Sequence, residues 1–234
     1  MISLVIPTLN EERHMKPLLE SLKPQLHEGD ELIVVDSFSK DRTCAIARRY
    51  GCRIIRVPRR GIAAAKNAGA EKAKNGIVAF LDADSVVSGR WLKKIRHCFE
   101  HHRYSAVAGL DLYHSRNKTR QRIYDRYSRY VFQSARMLYR IGGKPWMPAN
   151  NCAIDRDLFL KLKYSNVVCE DVDLMKRWPK AAKVHYDPSM IVYLSDRRFV
   201  EEGFRKTLAA WLVADVKAWR GKGISARRYS RVRI

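Results

Sequence analysis

The sequence lacks the features that would place a protein across a membrane or in an oxidising compartment. No stretch approaches the roughly 18 to 20 apolar residues of a membrane-spanning helix, and the first apolar run, Ile2 to Ile6, has no basic leader. The five cysteines are odd in number and include no CxxC pair, which does not suit a disulfide framework or a zinc site. We therefore expect a cytoplasmic protein with reduced cysteines and no transmembrane span.

Acidic residues are scarce relative to basic ones. The chain has 24 Asp and Glu against 46 Lys and Arg, a formal net charge of +22. Residues 116–144 and residues 197–234 each carry a net charge of +8, so two segments hold 16 of the 22 surplus charges. Charge concentrated in this way indicates an anionic partner, either a nucleic acid or an anionic lipid surface.

Short runs of Val, Ile, Leu and Phe alternate with charged segments of helical spacing through the first 110 residues. This alternation predicts right-handed βαβ crossovers and a mainly parallel sheet flanked by helices. At 234 residues the chain is long enough to bury a large core. The expected strands are 2–6, 32–35, 53–57, 77–81 and 105–110, and the expected helices are 14–23, 41–50, 62–74 and 90–101.

Two later segments, 116–141 and 199–220, are typical of long amphipathic helices, and Gly142-Gly143 would end the first. Three interpretations stay open for both: a solvated helix face, a helix docked on an anionic membrane surface, or a nucleic-acid-binding surface, for which no recognised motif is present. The first apolar stripe comprises Ile123, Tyr127, Tyr130, Ser134, Leu138 and Ile141, and the second comprises Phe204, Leu208, Trp211, Leu212, Val216 and Trp219.

A pair of carboxylates, Asp82 and Asp84, follows the apolar run Ile77 to Leu81. Strand side chains alternate between faces, so residues two apart would project together from the carboxyl end of a parallel strand. Two like charges this close repel each other unless a cation lies between them. A hard divalent ion with a diphosphate on its other side would remove that conflict. A simple turn, with Asp84 or Ser85 capping the next helix, explains the same residues.

Two more apolar strands are predicted to end at the same edge of the sheet. VVDSFSKDRT at 34–43 places Asp36 there, where its carboxylate can accept hydrogen bonds from a nucleobase or a ribose. VIPTLNEE at 5–12 supplies a polar loop beside it. A strand-terminal turn is the alternative interpretation of Asp36. Three polar strand ends along one edge predict a nucleotide pocket.

Six segments, in this order and spacing, resemble the family 2 glycosyltransferases of the GT-A fold: PTLNEE, VVDSFSKDRT, AAAKNAGA, FLDADS, NNCAIDRDLF and EDVDL. The resemblance implies a GT-A (Rossmann-like) α/β domain at 1–198, with a nucleotide-binding half at 1–110 and an acceptor half at 111–198. A basic amphipathic helix and tail would follow at 199–234. The resemblance also implies an inverting transferase that uses a nucleotide-diphosphate sugar and a divalent metal, Mn²⁺ or Mg²⁺.

The resemblance also implies roles for single residues. Asp171 matches the catalytic base, and at the start of a helix its charge would be favoured by the helix N-terminus. Asp84 matches the direct metal ligand, and Asp82 the acid that lies nearer the ribose and shares the metal. The nucleotide-sugar side would further include Pro7, Thr8, Asn10, Glu11, Asp36 and Lys66, and the sugar or acceptor side Asn151 and Glu170.

Three departures from the family pattern affect these expectations. Ser37-Phe38 replaces the usual acidic-then-glycine step, which leaves uridine and guanosine donors both open, and KLKYSNVV replaces a Gly-Gly-Phe segment before Glu170. LSDRR at 194–198 has no histidine, so Arg197 or Arg198 is expected to contact the pyrophosphate, a solvated basic turn being the alternative.

Together these observations predict sugar transfer to a lipid-linked or polyprenyl phosphate acceptor by a protein peripheral to the inner face of the cell membrane. The alternative is a basic nucleic-acid-binding protein with a catalytically idle GT-A-like core. A nucleic acid is the less expected partner.

Overall fold

The computed structural model describes residues 1–58, 61–101, 104–115, 117–167 and 169–220. The described strands are β1 Ile2–Thr8, β2 Glu31–Asp36, β3 Arg53–Arg56, β4 Ile77–Phe80, β5 Ser85–Val87, β6 Ala106–His114, β7 Cys152–Asp155 and β8 Val184–Ser195. They form one sheet in the order β3-β2-β1-β4-β7-β6-β8-β5. Four of the seven pairings among these strands are parallel, which confirms a mainly parallel sheet.

The helices lie between these strands and after the last one. They are α1 Glu12–Leu22, α2 Thr43–Arg49, α3 Ile62–Lys72, α4 Trp91–His101, α5 Lys118–Arg140, α6 Arg156–Leu162, α7 Glu170–Arg177, α8 Arg197–Glu202 and α9 Phe204–Trp219, with a short 3-10 helix at Lys23–Gln25. The five strands and four helices predicted for the first 110 residues are all present, with ends shifted by a few residues. Strands β5, β7 and β8 were not predicted from the sequence.

The sheet is buried on both faces because consecutive side chains of its central strands enter two different apolar clusters. Val5 and Val35 belong to one cluster, and Leu4, Ile6 and Val34 belong to the other. Helix α3 packs closely over β1 and β2, since a Cβ atom at Gly69 would overlap the side chains of Val5 and Val35. This close approach holds α3, and with it Lys66, against strands β1 and β2.

Helix α5 confirms the predicted long helix, and its N-terminus is capped by Asn117 Oδ1, which accepts from Arg120 N at 3.0 Å. The side that packs on the protein is not the predicted apolar stripe. The buried residues are Tyr124, Ser128, Phe132 and Ala135, whereas Ile123, Tyr130, Leu138 and Ile141 are 47%, 73%, 56% and 69% exposed. The helix therefore has two apolar sides, and four of the six residues of the predicted one are exposed to solvent.

The single helix predicted at 199–220 is wrong. Gly203, with φ +85°, separates α8 from α9 because this left-handed conformation ends one helix before the next begins. Phe204 and Trp211 pack with Phe199 in an aromatic cluster. The predicted tail 221–234 and the side chains of Leu212 and Trp219 lie outside the described residues. No helix in the described part of the chain is both long and apolar enough to cross a membrane.

Candidate active site

The loops after β1 and β2 are tied together at the carboxyl edge of the sheet. Asn10 N donates to Ser39 Oγ at 2.9 Å, and Asn10 Oδ1 accepts from Lys40 N at 2.8 Å. Asn10 has φ +55°, a left-handed conformation that asparagine tolerates better than most residues. Glu11 N donates to Thr43 Oγ1 at 2.8 Å. The predicted loop residues Asn10 and Glu11 are therefore held in fixed backbone positions at the strand ends.

Asp36 and Thr8 end two neighbouring strands and pair directly with each other in the register, as Pro7 does with Val35. Asp36 is fully buried, and its two carboxylate oxygens accept from Ser39 N at 3.1 and 3.2 Å. Thr8 Oγ1 is buried without a hydrogen-bond partner among the described residues. The predicted position of Asp36 at the sheet edge is confirmed, while its contact with a nucleobase stays a prediction.

Lys66 is a buried cation beneath this edge, with 1% of its surface exposed. Its Nζ donates to the Ala149 carbonyl at 2.7 Å and lies 3.1 Å from Asp82 Oδ1. Burial alone would lower the pKa of Lys66, but the carboxylates of Asp82 and Glu170 outweigh it and raise the pKa. The ammonium group therefore stays charged and links three separate segments of the chain.

Asp82 and Asp84 lie in a turn, not on the strand. Strand β4 ends at Phe80, and Ser85 N donates to the Asp82 carbonyl at 3.2 Å. The prediction that both acids project from the strand is therefore wrong, and the alternative of a turn is correct, although this turn leads into β5 and not into a helix. Both acids do follow β4 at the expected edge. Burial, and next the charge of Asp82, raises the pKa of Asp84, while Arg197 opposes the shift.

Arg197 connects Asp84 with the loop after β1. Its Nη2 lies 3.4 Å from Asp84 Oδ2 and 3.5 Å from Glu11 Oε1. The other oxygen of Glu11 pairs with His14 Nδ1 at 2.7 Å. The structure thus brings together the predicted residues Glu11, Asp84 and Arg197, whereas the side chain of Arg198 lies outside the described residues.

Helix α7 begins at the predicted acidic pair, Glu170 and Asp171. Asp171 Oδ1 accepts from Val172 N at 2.9 Å, at the helix N-terminus. Burial raises the pKa of the Tyr164 hydroxyl well above its usual value, with contributions from Cys152 and then from both acids of this pair. The charge of Glu170 also raises the pKa of Lys66, so the start of α7 lies near Lys66.

The neighbouring Asp173 is engaged elsewhere. Its Oδ2 accepts from Ser165 Oγ at 2.6 Å and pairs with Arg177 Nη2 at 2.7 Å. Burial alone would raise the pKa of Asp173, but the hydrogen bonds from Ser165 and Arg177 lower it overall. Asp173 therefore has a structural role, which makes it a weaker candidate for the catalytic base than Asp171.

Asn151 is fully buried and holds a hydrogen-bond network that the sequence analysis missed. Its Nδ2 donates to Asp111 Oδ1 at 2.9 Å, its Oδ1 accepts from Trp91 Nε1 at 2.9 Å, and Asn150 Nδ2 donates to Asp111 Oδ2 at 3.1 Å. Burial raises the pKa of Asp111 to about 7, although both amides oppose the shift. One signal was present in the sequence: Asp111 is the single acid within an apolar strand. The predicted contact of Asn151 with the sugar or acceptor stays a prediction.

The carboxylates of Asp82 and Asp84 fit a divalent cation. Carboxylate oxygens are the ligands that Mg²⁺ and Mn²⁺ take, and the repulsion between these two acids is of the kind that a cation relieves. No group of three or more His, Cys, Asp and Glu residues in the described ranges is arranged to hold a metal by itself. A cation here would therefore take its remaining oxygens from water or from a bound diphosphate.

An open cavity of about 720 Å³ adjoins Asp84. Its wall combines apolar side chains from β5, β8 and α8 with polar ones at the start of α5. The lining residues are Asp84, Val86, His114, Ser115, Asn117, Arg120, Tyr193, Leu194, Ser195, Asp196 and Val200.

The sequence matches the family model described as Glycosyl transferase family 2 over residues 3–162. An uncharacterized glycosyltransferase of Mycobacterium tuberculosis is 34% identical over 94 residues, which are 40% of this chain and 41% of that protein. The 4,4'-diaponeurosporenoate glycosyltransferase of Staphylococcus haemolyticus is 32% identical over 121 residues, which are 48% of this chain and 32% of that protein. The match thus spans less than half the length of both relatives.

Solved structures share the fold at low sequence identity. Staphylococcus aureus TarS 1-349 in complex with UDP-GlcNAc has a TM-score of 0.64 and 17% identity, covering 83% of this chain and 58% of that one. The mannosyltransferase PcManGT of Pyrobaculum calidifontis, in complex with GDP-Man and Mn²⁺, has a TM-score of 0.64 and 20% identity, covering 82% and 56%. Glucosyl-3-phosphoglycerate synthase of Mycobacterium tuberculosis, in complex with Mn²⁺, UDP-Glc and phosphoglyceric acid, has a TM-score of 0.61 and 20% identity, covering 94% and 80%. The predicted GT-A fold is confirmed.

Proposed function

Because this chain belongs to glycosyl transferase family 2, we propose that it is a metal-dependent, inverting transferase that moves a sugar from a UDP- or GDP-sugar to a lipid-linked or polyprenyl phosphate acceptor. One observation carries the proposal. Lys66 joins Asp82 to the Ala149 segment, and Arg197 joins Asp84 to Glu11, at the edge where β1, β2 and β4 end. These are the charged groups that a nucleotide-diphosphate sugar requires, gathered at the place where open α/β sheets bind ligands.

The donor would lie across the ends of β1 and β2. Pro7, Thr8 and Asp36 form the floor under the nucleoside, and Thr8 Oγ1 has no hydrogen-bond partner among the described residues, so it is available as a donor or acceptor toward the ligand. Arg197 can form charge-assisted hydrogen bonds with the diphosphate oxygens. Lys66 holds the Asp82 carboxylate in place from below.

Asp84 and Asp82 would hold the divalent metal. The chemistry that such a metal supplies is neutralisation of the charge that develops on the departing nucleoside diphosphate. The complexes of PcManGT and of glucosyl-3-phosphoglycerate synthase contain Mn²⁺ together with a nucleotide-sugar, which supports the assignment here.

Asp171 would accept the proton of an acceptor hydroxyl as that oxygen attacks the anomeric carbon. A carboxylate suits this step because it must be ionised before the reaction, and the N-terminus of α7 stabilises the charged form. Attack by the acceptor oxygen from the face opposite the leaving nucleoside diphosphate, with the base on that same face, inverts the anomeric centre. An acceptor phosphate is already ionised, so Asp171 would contribute less with such an acceptor.

The acceptor class is proposed from charge and from one relative. The basic segments 116–144 and 197–234 suit a peripheral position on the anionic inner face of the cell membrane, where a lipid-linked acceptor is available. The relative from Staphylococcus haemolyticus is named for 4,4'-diaponeurosporenoate, a lipid-soluble acid, which favours the same class.

Thermal unfolding with a panel of nucleotide-sugars tests the donor and the metal together. A ligand that binds only the folded state raises the melting temperature, so we expect a shift with one UDP- or GDP-sugar in the presence of Mn²⁺. The shift should be lost in Asp84→Asn and retained in Asp157→Asn, whose acid is exposed on α6. No shift with any donor, with and without Mn²⁺, would contradict the proposal. The anomeric configuration of the product, determined by NMR, tests inversion.

A further inference from the structure

We propose that the solvent face of α5 is the surface by which this protein docks on an anionic lipid bilayer. The inference rests on the proposed function and adds to it the surface that contacts the membrane. It starts from the exposed apolar stripe of α5. Ile123, Tyr130 and Met137 are 47%, 73% and 60% exposed and follow one another at seven-residue spacing, which keeps them on one side of the helix.

A basic stripe runs beside the apolar one. Arg122, Arg129 and Arg136 repeat with the same seven-residue spacing, one position before each apolar residue. At about 100° per residue, the two stripes divide the solvent side of α5 into a basic half and an apolar half. Asp125, the one acid in the sequence of α5, is engaged by Gln121 Nε2 at 2.8 Å.

The opposite side of α5 is fixed on the protein, so the two stripes are not part of the core. Tyr124 is buried in the aromatic cluster, with ring centroids 4.9 Å from Phe199 and 5.1 Å from Phe204. Phe132 packs against Tyr186, with ring centroids 5.9 Å apart. The exposed face therefore belongs to a helix that is packed on the protein along its other side.

The chemistry of this face selects a bilayer among the anionic partners. Exposed Met137, Leu138 and Ile141 gain nothing against a phosphodiester backbone, but at the headgroup boundary they enter the acyl region while the adjacent arginines contact anionic headgroups. An isologous pairing of two copies would bring two sets of arginines together, which opposes self-association through this face.

The docking face also leads to the candidate active site. Asn117, just before α5, and Arg120, in its first turn, line the cavity that contains Asp84. Val86, Leu194 and Val200 form an apolar wall of the same cavity. A bilayer under α5 would therefore place lipid headgroups close to an opening that combines a cation with apolar side chains, as a lipid phosphate requires.

Co-sedimentation with vesicles tests the proposal. The full chain should bind vesicles that contain phosphatidylglycerol, and bind much less to vesicles of phosphatidylcholine alone. Neutralising the basic stripe in Arg122→Gln, Arg129→Gln and Arg136→Gln should weaken this binding roughly 100-fold, since each basic residue at such a surface contributes about a five-fold change in affinity. The apolar variant Ile123→Ser, Met137→Ser should also lose most binding, although its net charge is unchanged.

The matched control is Arg49→Gln, Lys72→Gln, Lys74→Gln, which removes the same charge from exposed positions on α2 and at the end of α3. It should bind vesicles as the unmodified chain does. Equal loss in the control and the α5 variant would overturn the proposal, as would tight RNA binding without vesicle binding, or a dimer that the apolar variant dissociates. Donor-induced thermal shifts, measured on the same variants, keep this proposal apart from the proposed function, because they report the nucleotide site and should not change.

Discussion

Removing Lys66 from its ion pair with Asp82 should cost far more stability than removing one partner of an exposed pair of similar geometry. Lys66→Met keeps most of the apolar stem but removes the ammonium group that donates to the Ala149 carbonyl and pairs with Asp82. The substitution leaves the Ala149 carbonyl oxygen and the partly exposed Asp82 carboxylate without this partner. We therefore expect a large loss of unfolding free energy.

The size of the loss follows from the surroundings. An unsatisfied buried polar group costs about 1–3 kcal/mol, and removing one partner of a buried ion pair costs about 3–5 kcal/mol. The Asp82 side chain remains 33% exposed, so water replaces part of the lost interaction. A total of about 2–4 kcal/mol is expected, which for a domain of this size lowers the melting temperature by roughly 5–15 °C.

Lys163→Met is the matched control. Lys163 Nζ pairs with Glu71 Oε1 at 2.7 Å, but the two side chains are 45% and 47% exposed, and such pairs contribute about 0–1 kcal/mol. Thermal and urea unfolding of both variants provide the comparison. Equal melting temperatures for the two variants would refute the reasoning, because burial is the principal difference between the pairs.

Three further predictions concern other parts of the site. Gly109→Ala should lower the free energy of unfolding, measured in urea, by about 1–3 kcal/mol, since a Cβ there overlaps the Met190 carbonyl and the Asn151 side chain. In the control Gly76→Ala the Cβ meets open space, so its free energy of unfolding should stay near that of the unmodified chain. Similar values for both variants would contradict the packing described. Burial raises the pKa of Asp111 to about 7 in the folded state, whereas the unfolded group titrates near pH 4, roughly its ordinary pKa. Between these two pH values the folded state binds one more proton than the unfolded state, so stability falls as the pH rises. Asp111→Asn should flatten this decline in unfolding midpoints measured at pH 5 and pH 7, and an unchanged slope would assign it to another group. Asp171→Asn should lower kcat on a hydroxyl acceptor about 100-fold or more without changing the donor-induced thermal shift, whereas full activity on both hydroxyl and phosphate acceptors would remove its assignment as the base.

Local patterns in the sequence were sufficient for the first half of the fold except β5. Apolar runs of four to six residues separated by helical spacing predicted β1 to β4 and α1 to α4, because each βαβ unit is encoded over a short stretch of chain. The same patterns predicted that Asp36 and the pair Asp82 and Asp84 would lie at one sheet edge. They left open whether the pair lies on the strand or in a turn, and the structure has the turn, since strand β4 is shorter than its apolar run.

The remaining features depend on pairing between distant segments. Strand β5 has only three residues, too few for a sequence pattern to reveal. Strand β7 is defined by its antiparallel pairing with β4 and β6, which lie far earlier in the chain. For α5, spacing identified an apolar stripe but not the direction it faces, because Tyr124 and Phe132 form a second apolar side that packs on the protein. The network of Asp111 with Asn151 joins residues forty positions apart, which no local pattern encodes.

The strand order has a consequence for how the chain acquires its structure during synthesis. Strand β4 pairs on one side with β7, and β5 pairs with β8. Both of these pairings require segments that are synthesised much later. When residue 110 leaves the ribosome, these edges are still open, and an open strand edge is a site for unwanted pairing with other chains. The predicted boundary between a nucleotide-binding half and an acceptor half therefore does not divide the sheet into parts that can each complete their hydrogen bonding. A chain interrupted at that boundary would be exposed to aggregation, and cooperative folding would be reached only after the last strand, β8, has been added.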